Sequence, residues 1–259
     1  MPEMIEVEQY RRTADAIVGR KIAAVHAPDD WYLKRGTTAA ALEAALLGTA
    51  VAATRRIGKL LLLDTPRAVL GLHFGMTGRL VVDGIASIDR LEYSSHRYDE
   101  AWVRFALGFA RGGRLEIVDP RRLGGVELDP VEDRLGIDAL SVKPAQLRDA
   151  LAASRAPLKA WLLTQDRIAG IGNLLADEML WRAGIDPLRP ACSLEAAEVR
   201  RLHHHLQATI GTLSERGGSH TGDLHEARVR GASCPRDGAP LLRRTIGGRT
   251  TYSCPRHQR

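Results

Sequence analysis

Apolar positions in the first half of the chain follow two different periods. A helix is predicted over residues 3–18, because apolar side chains recur on one helical stripe, and Gly19 ends it. Short runs rich in Val, Ile and Leu follow, separated by turns that contain glycine. These runs predict a β-sandwich or barrel with flanking helices. The predicted strands are residues 22–26, 51–56, 60–64, 68–74, 79–83, 102–107 and 114–118, with a short helix over 39–47.

The period becomes helical in the second half. Residues 129–144 are polar and contain Pro and Gly, so we place a domain boundary there. Ser193, followed by Glu195 and Glu198, predicts the N-cap of a long helix that runs to about Glu215. The other predicted helices are 145–152, 157–163 and 173–183. The expected division is a catalytic sandwich over 1–128, a linker over 129–144, a helical domain over 145–227 and a hairpin over 228–259.

Composition excludes several classes of protein. The 259 residues are 44% hydrophobic and 26% charged, which is typical of a globular protein. We expect no membrane association, because no apolar run is long enough to span a bilayer, and no signal peptide, because acids occupy the N-terminus. Three cysteines do not make an even disulfide framework, so we expect a reducing, cytoplasmic location.

Charge is concentrated at the C-terminus. Residues 228–259 carry eight arginines and one acid, a net +7, whereas the remaining residues sum to −1. A basic block of this kind is typical of a protein with a polyanionic partner, although a solvated tail has the same composition. Arginine without lysine favours bidentate phosphate contacts.

The same segment has metal-ligand spacing. Cys234 and Asp237, then Cys254 and His257, form two pairs, each with two intervening residues, at a separation that suits a β-hairpin. This spacing favours a zinc ribbon in which Asp237 is the fourth ligand, although carboxylates are uncommon in structural sites. The alternatives are a hairpin without zinc and a three-ligand site closed by water.

The first residues carry candidate chemistry. Removal of Met1 would make Pro2 a free secondary amine, with Glu3 and Glu6 within about one helical turn. An amine beside a carboxylate is the minimum set for attack on a sugar carbon and for proton transfer. By itself the pattern favours an ordinary helix start, with Pro and acids in the first turn.

Several loops carry further candidates. Met76 lies between glycines, and Arg121 and Leu123 lie in a second loop. Such side chains suit a wedge that fills the space left by an extruded base, or else belong to the core. Asn173, after two glycines, opens a helix whose N-terminus suits a phosphate. The alternative, favoured when this motif stands alone, is a turn that ends with Asn173 as the helix cap. The consecutive histidines 203–205 point about 100° apart on a helix, which indicates a solvated face rather than a metal site.

These motifs, in this order, resemble those of the formamidopyrimidine-DNA glycosylase / endonuclease VIII family over essentially the whole chain. The resemblance implies an N-terminal β-sandwich, a helix–two-turn–helix domain and a zinc hairpin. It also implies a monomer that binds damaged double-stranded DNA and holds one structural zinc. The matching motifs are Pro-Glu-x-x-Glu-Val-Glu from Pro2, Gly58-Lys59 with the leucines after it, His73-x-Gly-Met-x-Gly, Asp119-Pro-Arg-Arg-x-Gly, Gly170-x-Gly-Asn-x-x-Ala-Asp-Glu and the terminal hairpin.

The resemblance also implies roles for single residues. Pro2 looks like the nucleophile that forms a Schiff base with C1′, Glu3 like the general acid and base, and Glu6 like its helper. Phosphate contacts are implied for Lys59, Asn173 and Arg249, and void filling for Met76, Arg121 and Leu123. The implied zinc ligands are Cys234, Asp237, Cys254 and His257.

Two departures bear on the substrate. Leu123 stands where the oxoguanine-specific branch has phenylalanine, and residues 217–222 lead to the hairpin where that branch has a longer loop. We therefore expect a bifunctional glycosylase and abasic-site lyase of base excision repair that prefers oxidised pyrimidines and excises 8-oxoguanine opposite cytosine weakly. The alternatives are an 8-oxoguanine or formamidopyrimidine glycosylase, a non-cleaving relative that binds damaged DNA, and an unrelated zinc-ribbon module that binds RNA or another partner.

Overall fold

A computed structural model of the chain describes residues 2–88, 91 and 97–259. They divide into two compact units, one ending at Glu132 and the other beginning at Asp133. Met1, whose removal the Pro2 hypothesis requires, lies outside the described residues. None of the described helices is long and apolar enough to cross a membrane.

The first unit contains two α-helices and nine strands among its described residues. The helix predicted over 3–18 is α-helical only to Ala14 and then tightens into a 3₁₀ turn, Asp15–Ile17. Two strands, Ile85–Ala86 and Gly125–Leu128, were not predicted, and the first of them has only two residues. The elements are α1 Met4–Ala14, β1 Ile22–His26, α2 Ala39–Leu46, β2 Ala53–Ile57, β3 Leu60–Asp64, β4 Val69–His73, β5 Arg79–Val82, β6 Ile85–Ala86, β7 Val103–Phe109, β8 Arg114–Val118 and β9 Gly125–Leu128.

Two antiparallel sheets enclose the core of this unit. One has the strand order β1-β7-β8-β5-β6 and the other the order β2-β3-β4-β9. Alternate side chains of each sheet, such as Leu61 and Leu63 on one and Phe105 and Leu107 on the other, are buried in a single apolar cluster. Helix α1 adds its predicted stripe to that cluster, and Tyr10 packs on Phe74. The predicted β-sandwich with flanking helices is confirmed.

The second unit is mainly helical. Its elements are β10 Ile137–Asp138, α3 Pro144–Ala152, α4 Leu158–Leu162, β11 Ile168–Ala169, α5 Asn173–Ala183, α6 Ala196–Glu215, β12 Leu242–Ile246 and β13 Arg249–Ser253. The predicted N-cap at Ser193 is wrong, because Ser193 ends a short 3₁₀ turn. Glu195 is the N-cap of α6, and its N–H donates to the Glu198 carboxylate at 2.9 Å. The carboxylate three residues into the helix therefore satisfies the first backbone donor.

A buried ion cluster attaches the β12–β13 hairpin to the helices. Lys159 of α4 is fully buried, and its Nζ lies 2.6 Å from Oδ1 of Asp177 on α5. The same Nζ donates to Oγ1 of Thr251 on β13 at 2.8 Å, and Arg228 also pairs with Asp177. Charges taken out of water persist only when paired and hydrogen-bonded, so this cluster fixes where the hairpin lies on α4 and α5.

Candidate active site and metal centre

Pro2 lies directly ahead of a helix N-terminus. Glu3 is the N-cap of α1, and its backbone N–H donates to Oε2 of Glu6 at 2.7 Å. Pro2 thus precedes the N-cap rather than occupying the first helical position. Pro2, Glu3 and Glu6 are all buried. The hydrogen bond that Glu6 accepts fixes the backbone to which both Pro2 and the Glu3 side chain are attached.

Lys59 lies in the turn between β2 and β3, where Gly58 has a φ of +57°. The Arg56 side chain, 4% exposed, holds this turn against α1. Its Nε donates to Glu8 of α1 at 3.2 Å, and its guanidinium donates to the Gly58 carbonyl at 2.8 Å. Arg56 is therefore the residue that positions the Lys59 turn beside the helix that carries Glu3.

The loops 74–78 and 119–124 are joined by the buried carboxylate of Asp119. Its Oδ1 accepts from Thr77 Oγ1 at 2.5 Å, and its Oδ2 accepts from the Gly124 N–H at 2.8 Å and from the Tyr32 hydroxyl at 3.3 Å. Burial raises the pKa of Tyr32 well above 10, and the charge of Asp119 raises it further, so Tyr32 stays a neutral donor. The two loops consequently have one fixed arrangement.

This arrangement leaves the predicted wedge residues at the surface. Leu123 is 44% exposed and Arg121 is exposed, whereas Met76 is half-buried. The alternative that Leu123 is a core residue is therefore excluded by its exposure.

Arg122, between two of these residues, is exposed as well, but its guanidinium is paired within the first unit. It makes a bidentate pair with Asp29, with N–O distances of 2.5 and 2.6 Å, and it adopts a φ of +56°. The hydrogen bonds from Arg122 hold the pKa of Asp29 below its ordinary value. Arg121 and Arg122 are thus both exposed, and Arg122 is held by its pair with Asp29.

The turns between α4 and α5 are organised by Gln165. Its Nε2 donates to the carbonyls of Leu163 and Ile171 at 2.9 and 3.0 Å, and its Oε1 accepts the N–H of Gly170 at 2.9 Å. The N-cap of α5 is Gly172 rather than Asn173, which is the first helical residue. Oδ1 of Asn173 is buried and has no hydrogen-bond partner among the described residues.

Arg249 lies at the tip of the terminal hairpin. It begins β13 and pairs with Ile246 across the turn Gly247–Gly248. Both glycines have positive φ, 57° and 71°, which is the conformation that a two-residue hairpin turn with the right twist requires. Arg249 is exposed.

Cys234, Asp237, Cys254 and His257 converge as their spacing predicted. One ligand atom from each of them lies within 4.8 Å of the others. His257 Nδ1 is 2.7 Å from Asp237 Oδ2, and Cys254 Sγ is 3.3 Å from the same oxygen. The set of two sulfurs, one nitrogen and one oxygen suits tetrahedral Zn²⁺. Hydrogen bonds from the Ala239 N–H and then from His257 hold the pKa of Asp237 below its ordinary value, as a ligand requires.

The histidines at 203–205 do not gather at a common point. Nε2 of His203 contacts the Val142 carbonyl at 2.8 Å, while His204 is exposed. The His204 and His205 rings meet edge to face with centroids 5.2 Å apart, so His203 is the one of the three that is turned to a different contact.

Several residues that organise the site were not predicted. Asp119, Gln165 and Arg56 stand in or beside the quoted motifs, but only the tertiary contacts reveal what they hold. The sequence feature that could have identified them is a polar residue next to a turn with proline or glycine, because the backbone N–H groups of such turns need acceptors. Asp177 and Glu178, which end the Gly-x-Gly-Asn motif, are likewise buried and bonded within the second unit.

Comparison with known families shows two matches that together span most of the chain. The formamidopyrimidine-DNA glycosylase N-terminal domain matches residues 1–126, and the formamidopyrimidine-DNA glycosylase H2TH domain matches residues 135–223. The chain is 34% identical to a formamidopyrimidine-DNA glycosylase of Geobacillus kaustophilus over 284 residues, with full coverage of both chains. It is 36% identical to one of Paracoccus denitrificans over 286 residues, with 98% and 99% coverage.

Solved structures are similar over the same length. The formamidopyrimidine-DNA glycosylase of Lactococcus lactis, non-covalently bound to DNA that contains an AP site, aligns with a TM-score of 0.83 and 27% identity, with both chains fully covered. A complex of the Lactococcus lactis protein with FAPY-dG-containing DNA aligns with a TM-score of 0.82 and 27% identity, covering 99% of this chain and 100% of that one.

Because the two loops approach each other closely at Gly75, a larger residue at this position should lower the stability of the fold. A Cβ at Gly75 would lie 2.3 Å from the Leu123 carbonyl carbon, at a φ of +56°. We expect Gly75→Ala to lower the free energy of unfolding by about 1–3 kcal/mol more than Gly84→Ala does. Gly84 is the matched control, because its φ is +80° but a Cβ there meets nothing within 4 Å. Equal losses in urea unfolding of the two variants would contradict the close loop contact.

Proposed function

The chain belongs to the formamidopyrimidine-DNA glycosylase family, and we propose that it removes a damaged base from double-stranded DNA and then cuts the strand at the abasic site. Its enzyme class, a DNA glycosylase with abasic-site lyase activity in base excision repair, follows from the family. The observation that carries the proposed chemistry is Pro2, placed directly ahead of the helix start that Glu3 and Glu6 form.

Pro2 is the proposed nucleophile once Met1 is removed. An unperturbed α-amine has a pKa of about 8, so a useful fraction is neutral at neutral pH. The positive end of the α1 dipole disfavours a second positive charge beside it, which favours the neutral amine. The amine attacks C1′ of the damaged nucleoside, the base leaves, and the C1′–nitrogen bond becomes a Schiff base. The C2′ proton is thereby acidified, and its loss expels the 3′ phosphate by β-elimination.

Glu3 and Glu6 have separate proposed roles. Glu3, next to the nucleophile, transfers protons to the opening sugar ring and from C2′. Glu6 accepts the Glu3 N–H at 2.7 Å and so acts as a positioning residue for both groups. A helix start is well suited to this task, because its backbone is fixed by hydrogen bonds rather than by a mobile loop.

Lys59, Asn173 and Arg249 are the proposed phosphate contacts. The exposed Arg249 projects from the hairpin tip, Lys59 lies on a turn held by Arg56, and Asn173 lies at the positive end of α5. Met76, Arg121 and Leu123 are the proposed residues that fill the space left by the extruded base. Their support is the exposure of Arg121 and Leu123 on loops that Asp119 joins.

Two substrate classes are candidates. The relatives' names favour formamidopyrimidine purine lesions over the oxidised pyrimidines that the sequence led us to expect, so we propose formamidopyrimidine lesions first. Oxidised pyrimidines stay a second candidate, because the segment 217–222 before the hairpin is short and is held by hydrogen bonds of its neighbours. The Asp223 and Leu224 N–H groups donate to Glu178 at 3.0 and 2.9 Å, and Arg216 pairs with Asp223 at 2.6 Å. Such a segment has little freedom to close over a base.

One structural zinc per chain is proposed for the group of Cys234, Asp237, Cys254 and His257. When bound, the ion would cross-link both ends of a hairpin that is too small to form a hydrophobic core by itself. Elemental analysis should give one zinc per chain, and Asp237→Ala should lower that content if Asp237 is a ligand.

We propose the four-part division at 1–128, 129–144, 145–227 and 228–259, with the sandwich as the catalytic part. We also propose that the protein acts as a monomer on chromosomal DNA in a bacterial cytoplasm. The bacterial origin of the similar proteins supports this location.

Borohydride trapping tests the nucleophile. With Met1 removal verified by mass spectrometry, the wild type should form a covalent adduct with an abasic-site duplex in the presence of borohydride. Pro2→Gly should trap less, because it replaces the secondary amine, and Glu3→Gln should slow base excision by roughly 10²-fold or more. A processed wild-type protein that binds the duplex but never traps would instead support the non-cleaving relative.

A lesion panel tests the substrate. We expect kcat/KM for a formamidopyrimidine purine opposite cytosine to exceed that for an oxidised pyrimidine by roughly tenfold or more. The panel should also include 8-oxoguanine opposite cytosine and a bare abasic site as the lyase control. The reverse order, with equal cutting of the abasic site, would select the oxidised-pyrimidine candidate.

Salt dependence tests the hairpin contact. Arg249→Ala should reduce the slope of log K against log salt by about 1, because one phosphate contact is lost. Arg243→Ala is the control, since residue 243 of β12 is exposed on the opposite face of the same hairpin. The duplex should carry a reduced abasic site that cannot be cut. An equal change in slope for both variants would contradict the specific role of Arg249.

A further inference from the structure

Trp181 contacts two of the four metal-binding side chains at once. It lies on α5 and is 7% exposed. Its indole Nε1–H donates to Cys234 Sγ at 3.2 Å, and its backbone carbonyl lies 3.1 Å from Nε2 of His257. The indole and imidazole rings also meet edge to face, with centroids 5.9 Å apart.

The backbone contact decides which nitrogen of His257 faces a metal. A carbonyl oxygen only accepts hydrogen bonds, so Nε2 must carry the proton in this contact. Nδ1 faces the Asp237 carboxylate, which also only accepts, so a bound ion would take the place of the proton on Nδ1 while Nε2 keeps its own. Nδ1 is also the atom that faces the other ligands, at 2.7 Å from Asp237 Oδ2 and 3.9 Å from Cys234 Sγ. The position of α5 therefore selects Nδ1 as the ligand atom.

The indole contact acts on the sulfur. A metal-bound cysteine is a thiolate, and an N–H donor aimed at it stabilises the negative charge and fixes the direction of the side chain. Cys234 is buried in a small apolar cluster that also contains Trp181, Leu224 and Cys254. Water has little access there, so the indole is the donor that replaces it.

We propose that Trp181 is a positioning residue for the metal centre: its carbonyl sets the His257 tautomer and its indole holds the Cys234 thiolate. The inference rests on the metal centre of the proposed function and adds the residue that prepares it. Trp181 lies on α5, within the region that matches the H2TH domain, and it contacts two of the proposed ligands on the hairpin. These ligands are therefore already arranged before a metal ion binds.

Zinc affinity of the full chain tests the indole contact, measured by competition with a chromophoric chelator. Trp181→Phe keeps an aromatic ring and removes the N–H donor, and it should weaken zinc binding by roughly 10- to 100-fold. Trp161→Phe is the matched control. Trp161 lies on α4, is 3% exposed, and its Nε1 has no hydrogen-bond partner among the described residues. Unchanged affinity in Trp181→Phe, or equal weakening in both variants, would overturn the proposal.

A second measurement covers the carbonyl contact, which no substitution removes. Long-range ¹H–¹⁵N spectra of the zinc-loaded wild type should show His257 with Nδ1 on the metal and a proton on Nε2. Coordination through Nε2 would overturn this inference while leaving the metal centre intact. A wild-type protein that binds no zinc at all would instead remove the proposed metal centre, and the inference with it.

Discussion

The carboxylate of Asp119 is the contact on which the exposed loops of the first unit depend. It is fully buried, and it accepts hydrogen bonds from Thr77, Gly124 and Tyr32, so two loops that are far apart in sequence share one acceptor. A buried carboxylate without these donors would cost several kcal/mol, so the loops cannot separate cheaply. Because the backbone is held from within, the side chains of Arg121 and Leu123 are left to face outward.

Buried carboxylates also hold distant segments together in the second unit. Glu178 accepts the N–H groups of Asp223 and Leu224 and a hydrogen bond from Arg182, and Asp177 lies between Lys159 and Arg228. The acids that end the Gly-x-Gly-Asn motif therefore fasten the segment before the hairpin and the hairpin itself. In this chain the motif combines a helix start with two structural anchors, which explains why acids follow it so closely. Trp181, one turn further along α5, extends this anchoring to Cys234 and His257.

These contacts give the proposed chemistry its rigidity. Pro2, the proposed nucleophile, is attached to a helix N-cap, and the Lys59 turn is bonded through Arg56 to the same helix. Arg249 lies on a hairpin that is held near its tip by Lys159 and at its base by the contacts among Cys234, Asp237, Cys254 and His257. Groups that must meet a reacting sugar gain most from such fixed placement, since little ordering remains to be done on binding.

The sequence by itself determined the elements and the local chemistry. Short apolar runs over 60–64 and 114–118 located strands correctly. The spacing of Cys234, Asp237, Cys254 and His257 was enough to predict their convergence, because hairpin geometry is local. The helix start after Pro2 was likewise set by neighbouring residues.

Only the tertiary structure decided how distant polar groups are paired. Nothing local requires Asp119 to meet Thr77, Lys159 to meet Thr251, or Trp181 to meet Cys234, because each pair is separated by at least 42 residues. The N-cap at Glu195 in place of Ser193 has the same origin, since Ser193 is held in a 3₁₀ turn after Pro190. Periodicity reports which face of an element is apolar, whereas burial and hydrogen-bond satisfaction decide which residues meet across the fold.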